Sequence, residues 1–169
     1  MLSARQLSHE LRCGQGGYLA CRRASALLSL LAMSSLAAVA LYQNGILKNL
    51  PQPRSSSFDT GKINGSDEAY GKLATPDAFL GFGSYAVTLG LAAMGGKNRA
   101  QNHPWMPLAL AGKALADAAE ATKMTHDSWT RYGAFSIYSL IAAAAAFINL
   151  PLTLPEAIAA FRASAGVGD

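Results

Sequence analysis

Three stretches of this chain carry no charged side chain: Ala24–Leu47, Ala78–Gly96 and Tyr132–Pro155, of 24, 19 and 24 residues. A hydrocarbon core about 30 Å thick takes roughly 20 helical residues to cross, so each stretch is long enough to span a bilayer. A fourth apolar stretch, Pro104–Met124, is rich in Ala and Leu but includes Lys113, Asp117, Glu120 and Lys123. Standing alone it would read as an interfacial or buried helix. Between two clear spans it reads as the third of four. The sequence therefore predicts an all-α protein, a polytopic membrane four-helix bundle. Composition agrees, since only 14% of the 169 residues are charged, against about a quarter in soluble domains. The net charge of +4 comes from scattered basic residues; a nucleic-acid binder clusters them on one face, so nucleic acid is excluded as a partner and the lipid bilayer takes its place.

Basic residues also set the expected orientation. Arg5, Arg12, Arg22 and Arg23 precede the first span against one acid, Glu10. The positive-inside rule puts that end in the cytoplasm, and four spans return the C-terminus to the same side. Gly95–His103, with Lys97 and Arg99 and no acid, becomes a cytoplasmic turn. Residues 1–23 are then a cytoplasmic segment, 24–158 the membrane domain and 159–169 a cytoplasmic tail. A cleaved signal peptide is the rival reading, because Ala38-Val39-Ala40 resembles a small-residue cleavage site, but the apolar run before it is too long for a signal core.

Lys48–Asp77 becomes an external loop of about thirty residues with four bases (Lys48, Arg54, Lys62, Lys72) and four acids (Asp59, Asp67, Glu68, Asp77). Pro51, Pro53 and Ser55–Ser57 predict extended chain. Ser66-Asp67-Glu68-Ala69-Tyr70-Gly71-Lys72-Leu73 predicts a short helix with Ser66 as its N-cap. A long, partly structured loop at the mouth of a small bundle is commonly functional.

Chemistry-bearing residues are few. Ser136 and Ser139 are three apart in the predicted helix Tyr132–Leu150, which places both hydroxyls on one face. Serines in membrane helices ordinarily bond back to their own helix or join it to a neighbour. Lys113, Asp117 and Glu120 are stacked at i, i+4, i+7. Such groups at membrane depth form either a polar path or an internal ion pair, and Lys113 with Asp117 is the simpler reading. Ala142–Ala146 predict a close-packing face. His9 and His103 fall on one side of the membrane and His126 on the other, so no metal site is predicted. Cys13 and Cys21 both lie within the first 21 residues, on the reducing side, and are expected to be free thiols.

Taken in order, several segments resemble the bacterial branch of the vitamin K epoxide reductase family. They are Leu41-Tyr42-Gln43-Asn44-Gly45, Phe58-Asp59, Ser66–Gly71 and Pro76–Tyr85, then Ala111-Gly112-Lys113-Ala114, Asp117-Ala118, Trp129 and Phe135–Leu140. The resemblance covers about residues 24–158. It implies a four-helix bundle around a quinone, in the bacterial cytoplasmic (inner) membrane. It also implies a Cys-x-x-Cys at the external end of the fourth helix and a second cysteine pair in the external loop. Here Ser136 and Ser139 match the Cys-x-x-Cys, and the loop from Leu50 to Asp77 contains no cysteine. Thiol–disulfide exchange needs a thiolate and a sulfur leaving group, and a serine hydroxyl supplies neither.

The resemblance further implies a quinone pocket at Asp77, Ser136 and Ser139. Asp77 matches a position that is commonly asparagine, and a carboxylate accepts hydrogen bonds where an amide also donates. The expectation is a non-catalytic membrane protein with this fold, a structural or accessory subunit among other membrane protein subunits. The alternative is a quinone-binding oxidoreductase that uses a modified site.

Overall fold

The computed structural model describes residues 3–53, 55, 57–71 and 74–166. Arg54, Ser56, Lys72 and Leu73 of the predicted loop, and 167–169 of the tail, lie outside the described residues. Among the described residues eight helices follow in order: α1 (Ala4–Cys13), α2 (Leu19–Gln43), α3 (Thr60–Asn64), α4 (Glu68–Gly71), α5 (Asp77–Ala93), α6 (Arg99–Asn102), α7 (Trp105–Tyr132) and α8 (Ile137–Ser164). Helices α2, α5, α7 and α8 are the predicted bundle. Two of them, α2 and α8, are long and apolar enough to cross a membrane. Helix α5 is apolar but has 17 residues, about 25 Å at 1.5 Å per residue. Helix α7 has 28 residues and carries the charges noted above.

Local chemistry explains where the helices depart from the predicted spans. The last span was expected from Tyr132, but Gly133 (φ 61°) ends α7 in the left-handed conformation and Ser136 then caps a new helix. Glycine takes that conformation without a Cβ clash. At its far end α8 runs through Pro151 and Pro155 to Ser164, so 159–164 continue that helix. Helix α1, which the apolar runs do not reveal, opens with a reciprocal cap: Gln6 N–H donates to Ser3 Oγ, and Ser3 N–H to Gln6 Oε1.

The bundle is held by small side chains. Helix α2 packs on α5 and α8, and α7 packs on α8. Ala142, Ala143, Ala145 and Ala146 of α8 are buried together with Ala32, Tyr85 and Ala121. Small residues let membrane helices approach, which supplies dispersion contact where lipid removes the hydrophobic drive. Close approach is visible at Gly81, where a Cβ would lie 3.0 Å from Leu36 Cδ1.

At the end of the bundle where α2 begins, two arginines close the structure. Arg22 donates to the carbonyls of Ala92, Ala93, Met94, Gly95 and Gly96 at 2.7–3.3 Å, covering the C-terminus of α5. Such a cation also opposes the negative end of the helix dipole. Arg99 is 1% exposed and makes a bidentate pair with Glu156 of α8 at 2.8 and 2.7 Å. Its remaining nitrogen donates to Leu91 and Met94 carbonyls.

At the opposite end the loop between α2 and α5 folds over the bundle. Phe58 and Phe135 form an isolated parallel bridge, with Asp59 N–H donating to Phe135 O and Phe135 N–H to Ser57 O. Tyr70 Oη donates to Gln43 O, and Tyr138 Oη to Pro51 O. Tyr132 Oη donates to Glu68 Oε2 at 2.7 Å and Arg131 to Oε1 at 3.2 Å. The Tyr132 hydroxyl first, and Arg131 after it, hold the Glu68 carboxyl below its ordinary range.

Candidate functional site

Beneath this cover lies a cavity of about 260 Å³, lined from α2, α3, α5, α7 and α8. Leu36, Val39, Leu80 and Leu140 are among its apolar walls, and polar side chains interrupt them. Asp77, Ser136 and Ser139, which stand apart in sequence, all line it.

A continuous polar chain joins them at the covered end. Gln43 Nε2 donates to Asp77 Oδ1 at 2.7 Å and to Asn64 O at 3.1 Å. Asn64 Nδ2 in turn donates to Ser136 Oγ at 3.0 Å. Gln43 Oε1 accepts from Ala78 N–H, which fixes the amide's orientation. Asp77 lies in the first turn of α5, where the helix dipole favours a negative charge.

The two serines differ from the helix hydroxyls that bond back within their own helix. Ser29, Ser34, Thr122 and Thr125 bond back to their own helix carbonyls. Ser136 is not inside a helix at all, so the shared helix face that the spacing predicts is replaced by a cap. It is 2% exposed and accepts from Asn64 and, at 3.5 Å, from Ser139 N–H. Among the described residues, neither the Ser136 nor the Ser139 hydroxyl has an acceptor. For Ser139 the carbonyl four residues back, Phe135 O, accepts instead from Asp59 N–H at 3.2 Å.

Deeper in the cavity, Asp117 Oδ1 accepts from Lys113 at 2.5 Å and from Ser84 at 2.9 Å, and Oδ2 accepts from Thr88 at 2.9 Å. Lys113 and Asp117 thus form the i, i+4 ion pair that their spacing suggests. Asp117 and Glu120 both line the cavity. Seven residues of α5 separate Asp77 from Ser84, about 10 Å along the axis, so the cavity has a polar mouth and a polar floor. Tyr85, next to Ser84 on α5, also lines the cavity and donates to Ala142 O at 2.6 Å.

The sequence signature of the vitamin K epoxide reductase family matches residues 9–154. The chain belongs to the vitamin K epoxide reductase family. Neither a curated protein nor a solved structure matches it. This family member lacks the redox cysteines, since its two cysteines are Cys13 and Cys21. Cys13 ends α1 and Cys21 opens α2. Twenty-two residues of α2 separate Cys21 from Gln43 at the cavity mouth, about 33 Å of helix. Asn64 was the residue that sequence reasoning missed: a lone asparagine in a five-residue helix carries no periodic signal, and its role appears only when α3 folds onto α8.

Proposed function

We propose that this protein is a non-catalytic member of its family, holding a quinone-type ligand in the cavity without exchanging electrons with thiols. In this reading it serves as a structural or accessory subunit of a larger membrane complex. The observation that carries the reading is the pairing of a formed cavity with hydroxyls at the two positions that match the family's reactive sulfurs. Apolar walls with polar groups at both the mouth and the floor suit a ring that carries oxygen substituents. The distance to Cys13 and Cys21 supports the absence of any substitute thiol.

Purification in mild detergent, followed by identification of bound quinones and co-purifying polypeptides, tests both parts. The expected result is quinone and partner subunits with no dithiol-dependent quinone reduction. Such a reductase activity, lost when the protein is deleted, would overturn the non-catalytic reading. The cytoplasmic placement of both termini follows from Arg5, Arg12, Arg22 and Arg23, and the bacterial inner membrane from the family resemblance. An impermeant maleimide applied to sealed cells should label an Asp67→Cys variant and leave native Cys13 unmodified; labelled Cys13 would reverse the orientation.

A further inference from the structure

We propose that α1 is an in-plane membrane anchor whose basic face docks on the anionic phospholipid headgroups around the bundle. The proposal uses no residue of the cavity and is independent of what the cavity holds. The stretch that matches the family begins at residue 9, part-way along α1.

The tether of α1 sets its depth. Arg23 donates to Leu11 O at 2.8 Å and to Gly14 O at 2.9 Å, and Lys97 N–H donates to Glu10 Oε2 at 3.2 Å. Arg23 stands in the second turn of α2, so the C-terminal end of α1 is held near the level at which that span begins. A helix that starts to cross the hydrocarbon there has its first turns among the headgroups. No residue of α1 is buried, so the helix adds nothing to the core of the bundle.

Its sequence divides cleanly around the axis. At 100° per residue Leu7 and Leu11 share one side, where both are half-buried, and Arg5, His9 and Arg12 share the opposite side, where all are exposed. This is the pattern of a helix that lies in the interface, apolar side towards the acyl chains. Two leucines supply little apolar area, so charge attraction has to supply the rest of the binding, which favours anionic over zwitterionic lipid. Lys97 and Arg162 are exposed at the same end. Among the described residues the acids there are Glu10 and Glu156, and Glu156 is paired with Arg99. The guanidinium fork matches phosphate oxygens in geometry as well as charge. An acidic protein would match the charge too, but the tether places α1 where lipid phosphates already lie.

The full chain carrying Ala4→Cys, with Cys13→Ser and Cys21→Ser, would be labelled with a nitrobenzoxadiazole dye and placed in nanodiscs. Ala4 is exposed on the leucine side of α1. One set of discs holds phosphatidylcholine alone, and the other replaces part of it with phosphatidylglycerol. The readout is quenching of the dye by lipids that carry a nitroxide near the headgroup. Quenching should be strong in the anionic discs and much weaker in phosphatidylcholine, and high salt should remove the difference. A basic residue near an anionic surface is worth about fivefold, so adding Arg5→Gln and Arg12→Gln should lower the ratio of docked to free α1 about twenty-five-fold. Melting of the bundle should not change, because both arginines are exposed. No quenching in either lipid, the result expected if an acidic protein is the occupant, would overturn the proposal. Equal quenching in both lipids would overturn it as well, since the leucines alone would then be the anchor. The two-lipid comparison with both arginines in place decides the matter even if the glutamine variant does not fold.

Discussion

Where α2 begins, the guanidinium nitrogens of Arg22 and Arg99 all donate to carbonyls or to Glu156; where α2 finishes, the hydroxyls of Ser136 and Ser139 line a cavity with no acceptor among the described residues. Both ends bury polar groups in an alanine-rich bundle, yet they treat them differently. The arginine end uses its polar groups to satisfy the frayed C-terminus of α5 and to fix α6 against α8, which is structural work. The cavity end keeps hydrogen-bonding capacity in reserve, and reserve of that kind lowers stability unless a ligand consumes it. Unmatched polar atoms are not confined to the cavity end, since Ser25 Oγ of α2 and Asn149 Oδ1 of α8 are also buried without a partner among the described residues; what sets the cavity end apart is that its unmatched hydroxyls line open space that a ligand can fill.

If the arginine end is structural, breaking it should have the largest effect of any single substitution considered. Glu156→Ala leaves the Arg99 guanidinium buried without its counter-charge, and removing one partner of a buried pair costs about 3–5 kcal/mol. Thermal unfolding in detergent should fall sharply, or monodisperse protein should be lost. A midpoint within two degrees of the parent would show that the pair is not buried as described. Arg22→Lys comes next, at about 2 kcal/mol, since hydrogen bonds to charged groups are the strong ones. A lysine keeps the charge but not the planar fork that reaches five successive carbonyls. A fully stable lysine variant would reduce Arg22 to a simple counter-charge for the α5 dipole.

These contrasting ends were unequally legible in the sequence. The spans were readable because uncharged runs of 19–24 residues have few alternatives. The boundary at Gly133 was not, because the Tyr132–Pro155 run crosses it without any change in hydropathy; the turn shows only in the backbone conformation of one glycine. Arg99 and Glu156 are 57 residues apart, and Arg99 read only as an orientation signal, since nothing local reveals that a basic turn folds inward onto a distant helix. Helix α1 did leave a trace, the Ser3-x-x-Gln6 capping pair, which an argument built on apolar runs passes over. At the cavity, the serine pair was found by its spacing and Asp77 by resemblance, whereas Gln43 and Asn64, which connect them, act through contacts that form only on folding.

The smallest effects on stability should come from the serine pair, and the two members should differ. Ser136→Ala removes the acceptor that Asn64 Nδ2 uses and the side chain that caps α8. The capping bond is long at 3.5 Å, so its loss lies near the lower end of the usual range and the total should be about 1 kcal/mol. Ser139→Ala removes a hydroxyl with no protein partner among the described residues, so the protein should be within about 0.5 kcal/mol of its parent, as for a substitution that breaks no contact. Ligand retention should follow a different order. If both hydroxyls serve the cavity, each alanine variant should release bound quinone-type ligand, and Ser139→Ala should do so with assembly and melting unchanged. That separation is what a packing role cannot produce, because a side chain that only packs would move stability and occupancy together. Unchanged ligand content in Ser139→Ala would return that serine to scaffold. A melting loss as large as that of Arg22→Lys would mean that the cavity end, too, is held together by its hydroxyls.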